Sequence, residues 1–196
     1  MIFALATPTG KAALAIFRIS GSGCHEVISK ILDKNIAEFN RVFLRKIIHD
    51  GVLVDVSTVV FYKSPKSYTG EDMVEVFCHG GFATLKKLID LFHNLNIREA
   101  EPGEFTKIAV LNGKQTLNEA ESLLDLINST TDAEMNMALG VVAGELSNTV
   151  SVLGDELDDI RVFVESIIDF DDEDGVDVSL EEVIERLEVL RLGFGD

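Results

Sequence analysis

Over residues 13–111 the apolar positions switch repeatedly between period two and period three to four, so short strands alternate with helices. Ala13 to Ile19 reads as a strand, Val27 to Leu32 as one face of a helix, and Arg41 to Ile48 as a second strand. Asp50-Gly51 has the composition of a positive-φ hairpin turn and leads into a strand over Val52 to Tyr62. Met73 to His79 is another strand, which Gly80-Gly81 ends. A helix with Phe82, Leu85, Ile89 and Phe92 on one face follows. Pro102-Gly103 then separates the short run Ile97 to Glu101 from a helix near Glu104 to Leu111. This half is an α/β sandwich-type arrangement of mixed strand order.

The second half keeps only the helical period. Thr116-Leu117-Asn118-Glu119 has the spacing of a capping box, so a helix begins at about Leu117. Leu146, Val150, Leu153, Leu157, Ile160, Val164 and Ile167 then recur in alternating steps of four and three, the seam of a bundle or coiled coil. A single helix from about Asp132 to Ile168 would be on the order of 55 Å long. Its seam needs a covering helix, from this chain or another. The fold class is therefore α+β: a mixed-sheet domain over 1–116 followed by an all-α segment over 117–196.

Composition sharpens this division. The 196 residues are 46% apolar, enough for a sizeable core. Residues 1–118 carry a net charge of +2 and residues 119–196 a net charge of −19. So acidic a second half repels phosphate backbones, which makes the chain alone a poor grip for RNA or DNA. Two cysteines, Cys24 and Cys78, make no disulfide framework, and no charged-then-apolar leader opens the chain, so a cytoplasmic protein is expected. Charges interrupt every apolar stretch before the roughly 18–20 residues a membrane-spanning helix needs, so no membrane segment is expected.

Candidate chemistry gathers on two strands. Leu14, Ile16 and Arg18 share a strand face, where an arginine calls for an acidic partner or a ligand carboxylate. Glu75, Phe77 and His79 share a face opposite Val74, Val76 and Cys78, either as a pocket wall or as the solvated side of an amphipathic strand. Cys78 and His79 point to opposite faces and make no thiolate–imidazolium dyad, which leaves Cys78 as a core thiol. Gly80-Gly81 reads as a strand-to-helix turn. Neither Gly10-Lys11 nor Gly113-Lys114 sits in a P-loop, since Leu5 and Ile108 stand where the first glycine belongs. Asp169 to Asp177 holds six acids, but an EF-hand register there puts Phe170, which has no oxygen ligand, at position 1. The run reads as a solvated acidic connection before a last helix, Leu180 to Leu190.

Longer motifs then fall into one order. Ala6-Thr7-Pro8 precedes Ile16-Phe17-Arg18-Ile19-Ser20-Gly21, and Ser67-Tyr68-Thr69-Gly70-Glu71-Asp72 precedes Glu75 and Cys78-His79-Gly80-Gly81. Pro102-Gly103-Glu104-Phe105-Thr106 and Leu111-Asn112-Gly113-Lys114 follow. Ala120-Glu121, Asp125-Leu126-Ile127, Gly144-Glu145-Leu146-Ser147 and Ile168-Asp169-Phe170 complete the set. In this the chain resembles the tRNA-modification GTPase family MnmE (TrmE) over nearly its whole length.

The resemblance implies an N-terminal domain similar to the tetrahydrofolate-binding domain of glycine-cleavage aminomethyltransferase, which dimerises and binds 5-formyl- or 5,10-methylene-tetrahydrofolate. By the same resemblance Arg18, Glu75 and Lys114 hold the folate, and no residue is assigned a catalytic or metal role. A carboxylate suits the donor-rich edge of a pterin, and cations suit the glutamate carboxylates. The family further implies a homodimer through the N-terminal domain, an MnmG-like flavoprotein partner, and tRNA engaged only through that complex. It also implies a G domain using GTP, magnesium and potassium. This chain is expected to stop before that domain and not to hydrolyse GTP by itself. Its sequence departs from the family at Glu101 and Ile108, where arginine is usual, and at Lys11-Ala12, in a loop usually richer in Gly and Arg. The competing expectation is a decayed helical dimerisation scaffold with no ligand.

Overall fold

The computed structural model describes residues 1–36, 38–170 and 180–193. The chain divides into two compact units, Met1–Ala120 and Glu121–Asp196. The first is built on one six-stranded sheet formed by β1 (Ile2–Leu5), β2 (Leu14–Ser20), β3 (Val42–His49), β4 (Val52–Tyr62), β5 (Met73–His79) and β6 (Arg98–Glu99). The spatial order is β3-β4-β5-β2-β1-β6, with every neighbouring pair antiparallel except β1 and β6. Strand β1 has no counterpart in the sequence reading: four residues are too few to show a period. The predicted turn is present, with Asp50 at φ 49° and Gly51 at φ 76°.

Alternation sends Ala15, Phe17 and Ile19 of β2, Val74, Val76 and Cys78 of β5, and Val59 and Phe61 of β4 into one buried core. Helices α1 (Cys24–Ser29) and α2 (Phe82–Asn94) supply Cys24, Ile28, Leu85, Leu88, Leu91 and Phe92 to that core. Two helical details correct the sequence reading. The α-helical part of α1 starts three residues before Val27, and tight i to i−3 hydrogen bonds carry the chain on through Ile31 and Leu32. The buried arc of α2 centres on Leu85, Leu88 and Phe92. Ile89 therefore sits on its flank, and Phe82, in the first turn after Gly81, is 75% exposed. Helix α3 (Glu104–Leu111) matches its predicted span.

Helix α4 (Leu117–Asn128) begins at the predicted capping box. The Thr116 amide donates to Glu119 Oε2 at 2.8 Å, and the Glu119 amide donates to Thr116 Oγ1 at 3.2 Å. A second box, Thr131 with Glu134, opens α5 (Asp132–Val142). The long helix expected from Asp132 to Ile168 is not continuous. It breaks between α5 and α6 (Glu145–Phe170), whose axes differ by 50°. Gly144 takes φ 83° there, donates to the Val141 carbonyl and offers its own carbonyl to the Asn148 amide, so it ends one helix and starts the next. Ile160 packs with Val183 and Leu190 of α7 (Leu180–Gly193), flanked by Leu153, Phe163 and Val164. This covers part of the predicted seam, whereas Leu146, Val150 and Leu157 remain exposed. The acidic residues 171–177, and with them the calcium-loop question, lie outside the described residues. No single helix among the described residues is long and apolar enough to cross a membrane.

Candidate functional site

Because Phe17, Val74 and Val76 face the core, their neighbours Arg18 and Glu75 face the other side of the sheet. The β2–β5 register sets these two directly opposite one another. Arg18 Nε donates to Glu75 Oε1 at 2.8 Å, and the Tyr62 hydroxyl donates to Glu75 Oε2 at 3.0 Å. Of the two alternatives the sequence leaves for Arg18, an acidic partner or a ligand carboxylate, the first is present in Glu75. Glu75 is buried at 7% exposure, while the Arg18 side chain is 35% exposed. Only Nε of Arg18 is engaged: its terminal nitrogens have no hydrogen-bond partner among the described residues. Each Glu75 oxygen likewise keeps a lone pair. Burial, then the charge of Glu75, pushes the Tyr62 hydroxyl up to about 12, so it stays a donor.

The segment between β4 and β5 closes one end of this face. Tyr68 lies under the Arg18 guanidinium, 5.1 Å from ring centroid to Cζ, and its hydroxyl meets Thr106 of α3 at 2.9 Å. A closed ring of bonds anchors the turn. The Glu71 amide donates to Thr69 Oγ1, Thr69 lies 2.7 Å from the Ser20 hydroxyl, and Ser20 donates to the Glu71 carboxylate at 2.9 Å. Because a carboxylate only accepts, the Thr69 hydroxyl must be the donor to Ser20.

Lys114 is held against the same segment, its Nζ donating to the Pro65 carbonyl at 3.1 Å. Arg18 and Glu75 are therefore in direct contact, whereas Lys114 touches neither of them and packs on the 65–70 turn, which carries Tyr68 against Arg18. Gly70 makes that packing possible. It adopts φ +77°, and a Cβ there would stand 3.1 Å from both Asn112 Cβ and Lys114 Cγ. Gly70→Ala is expected to lower stability by about 1–2 kcal/mol through left-handed backbone strain alone, measured by urea unfolding. The sequence does not mark Tyr62, Tyr68, Ser20 or Thr69 as individual site residues: Ser20, Tyr68 and Thr69 lie inside longer motifs, and Tyr62 carries no local signal.

The other sequence candidates resolve differently. His79 is exposed, but its Nδ1 meets Asp55 Oδ1 at 2.7 Å and its amide donates to Asp55 Oδ2 at 3.0 Å. Burial disfavours the Asp55 anion, yet the His79 amide, the His79 ring and the Ser57 hydroxyl outweigh it and hold the carboxyl below its ordinary value. Asp72 behaves alike, with Lys63, the Ser64 amide and His25 overcoming its burial. A folded-state pKa below the unfolded one gives stability that is fully present above the unfolded value and disappears as pH falls through the folded one. Unfolding free energy is therefore expected to fall as pH drops below about 4. Asp55→Asn should lower stability at neutral pH and flatten that acid limb, as followed by denaturant titrations at stepped pH.

Cys24 and Cys78 are buried thiols, pushed up by burial to about 12 and about 11, and so are not nucleophiles. Gly80-Gly81 is a strand-to-helix turn, with Gly80 packed on the Ala12 backbone. Among the described residues no group of three or more His, Cys, Asp or Glu side chains could hold a metal ion.

Comparison with known proteins bears on this arrangement. Residues 1–114 match the family model for the GTP-binding protein TrmE N-terminus, and residues 117–193 match that for the MnmE helical domain. The chain belongs to the MnmE family. It is 45% identical to the tRNA modification GTPase MnmE of Thermotoga maritima over 195 residues, which is 97% of this chain and 42% of that protein. The MnmE of Aquifex aeolicus is 38% identical over 202 residues, covering all of this chain and 44% of the relative. For the MnmE of Clostridioides difficile the figures are 35% identity over 196 residues, 97% and 43%. The chain thus spans about two-fifths of the length of these MnmE relatives. The two matched regions correspond to the mixed-sheet and helical parts of the fold.

Proposed function

We propose that the first unit binds a reduced folate carrying a one-carbon group, 5-formyl- or 5,10-methylene-tetrahydrofolate, through Arg18, Glu75 and Lys114. The observation that carries this reading is the Arg18–Glu75 pair. An arginine fixed at Nε by a buried carboxylate, with its terminal N–H groups unengaged on an open face, is preorganised for an anionic, planar ligand. Because Arg18 and Glu75 touch, both belong to one end of the ligand: the remaining lone pairs of Glu75 suit the donor edge of a pterin beside the planar Arg18 guanidinium, which leaves Lys114 as the cation for the glutamate carboxylates. Titration calorimetry with 5-formyltetrahydrofolate tests this: saturable heat is expected, and its absence would leave only a helical scaffold.

The same reading makes the chain a homodimer through the first unit. Support comes from the site's own sheet face, where Ile16, Phe77, Thr58 and Leu44 form one row and Val42 lies in the next. Leu44 and Val42 are 66% and 72% exposed, an apolar surface suited to a second copy. Equilibrium sedimentation at micromolar concentration should give a dimer, and a monomer would count against it. In tRNA modification the role proposed is presentation of the one-carbon donor at wobble uridine within a complex with an MnmG-like flavoprotein. GTP hydrolysis is not assigned to these residues, because neither Gly-Lys pair lies in a phosphate-binding loop.

A further inference from the structure

His25 lies outside the set of residues assigned to the folate, yet it grips the segment that shapes their site. Its side chain is 14% exposed and stacks on Phe61, with centroids 5.0 Å apart and planes at 14°, while the Phe39 ring lies 5.2 Å away. Nε2 sits 3.0 Å from the Tyr62 carbonyl and 3.3 Å from the Met73 carbonyl. Both partners only accept, so Nε2 carries a hydrogen in either protonation state and the titrating proton belongs to Nδ1. Nδ1 faces Asp72 Oδ2 at 3.6 Å. The neutral ring sets a lone pair against that carboxylate, and the imidazolium sets an N–H against it.

Asp72 in turn joins the two ends of the segment between β4 and β5. Its carboxylate accepts from Lys63 Nζ at 2.7 Å and from the Ser64 amide at 2.9 Å, and its carbonyl accepts from the Gly21 amide at 3.0 Å. Of the charged groups of this segment, Asp72 faces His25 directly, Lys63 shares the Asp72 carboxylate and Glu71 is held by Ser20, while the 38–41 stretch adds the exposed Glu38–Arg41 ion pair. From β4 and the 38–41 stretch it meets the apolar rings of Phe61 and Phe39, and on its own helix it neighbours the protonated Cys24 thiol and exposed Glu26. The segment so held carries Tyr68 beneath Arg18, Thr69 against Ser20 and Gly70 against Lys114.

We propose that His25 is a positioning residue of the ligand site, its Nδ1 proton tightening the 63–72 segment through Asp72 and so fixing Tyr68 against Arg18. The ligand half of this inference rests on the folate reading. With the proton in place the segment is cross-tied and Arg18 is presented in one orientation. Without it the tie to Asp72 is lost and the ligand must do the ordering.

The test follows the His25 Cε1–H resonance of the whole chain against pH, together with the Tyr68 ring and Arg18 Nε–H resonances. Calorimetric titrations with 5-formyltetrahydrofolate are run at the same pH values. The Tyr68 and Arg18 signals should move with the midpoint of His25's own titration. The dissociation constant should rise by about fivefold as His25 loses its proton, the lower end of ordinary coupling between sites. His25→Gln retains an amide donor for the two carbonyls but cannot titrate, so it should abolish both responses. Should that variant not fold, Asp72→Asn, which removes the charge that senses the proton, must flatten them equally. Signals that ignore the His25 midpoint, or a His25→Gln protein that keeps the original pH profile, overturn the proposal. If no heat appears at any pH while Tyr68 and Arg18 still follow His25, the positioning role stands and the folate assignment falls.

Discussion

Glu75→Gln should bind 5-formyltetrahydrofolate roughly ten- to a hundredfold more weakly than the unaltered protein, with a circular-dichroism spectrum that is unchanged. The size follows from losing charge-assisted hydrogen bonds worth about 1.5–3 kcal/mol where a carboxylate becomes an amide. Oε1 holds Arg18 Nε at 2.8 Å and Oε2 accepts from Tyr62 at 3.0 Å. The amide nitrogen of glutamine can accept neither bond, so one of the two donors loses its partner. If Arg18 is released, its terminal nitrogens are no longer aimed and it pairs with solvent instead of ligand. Arg18→Lys makes the complementary case, because an ammonium cannot both engage Glu75 through an inner nitrogen and present a planar outer fork. A Glu75→Gln protein that binds folate as tightly as the original would show that this pair is only structural.

Why half of this site was legible in the sequence and half was not comes down to distance along the chain. Alternation within β5 correctly separates Glu75, Phe77 and His79 from Val74, Val76 and Cys78, because period two is a local property of seven residues. Alternation within β2 likewise places Arg18 opposite the core. What neither strand states is that residues 57 positions apart are paired in register. That register depends on strand order β4-β5-β2, which is decided by how the whole sheet buries its inner face. Tyr62 belongs to the same class: nothing around it marks it as a partner of Glu75. Lys114 entered by resemblance, and its contact with the 65–70 turn depends on a positive φ at Gly70.

The helical half fails in another way. The steps of four and three from Leu146 to Ile167 are real and lie wholly inside α6, but they do not extend back to Asp132, which opens a separate helix. Thr131 and Glu134 show the same spacing as the recognised box at Thr116 and Glu119, which marks the start at Asp132. The stop was also written, as Gly144 followed by Glu145 in the first turn of a new helix. A lone glycine is weak punctuation in an otherwise helical pattern, since it costs only about 1 kcal/mol there.

The largest loss of stability is expected from Phe17→Ala, at about 3–5 kcal/mol in urea unfolding of the first unit. Phe17 is fully buried, with its ring centroid 5.4 Å from Phe92 of α2 and 6.4 Å from Phe3 of β1, so it binds three elements into one core. Truncation leaves a cavity between a helix and two strands that cannot close without shifting β2. The next residue is Arg18, on the opposite face of the same strand, so any shift of β2 moves the guanidinium relative to Glu75. Ligand affinity should therefore weaken in Phe17→Ala even under conditions where most of the protein is folded. Phe82→Ala on α2 is the matching control, because that ring is 75% exposed and its loss should change stability by less than about 0.5 kcal/mol. Equal destabilisation by the two variants would mean that the helical layer packs on the sheet through a different face.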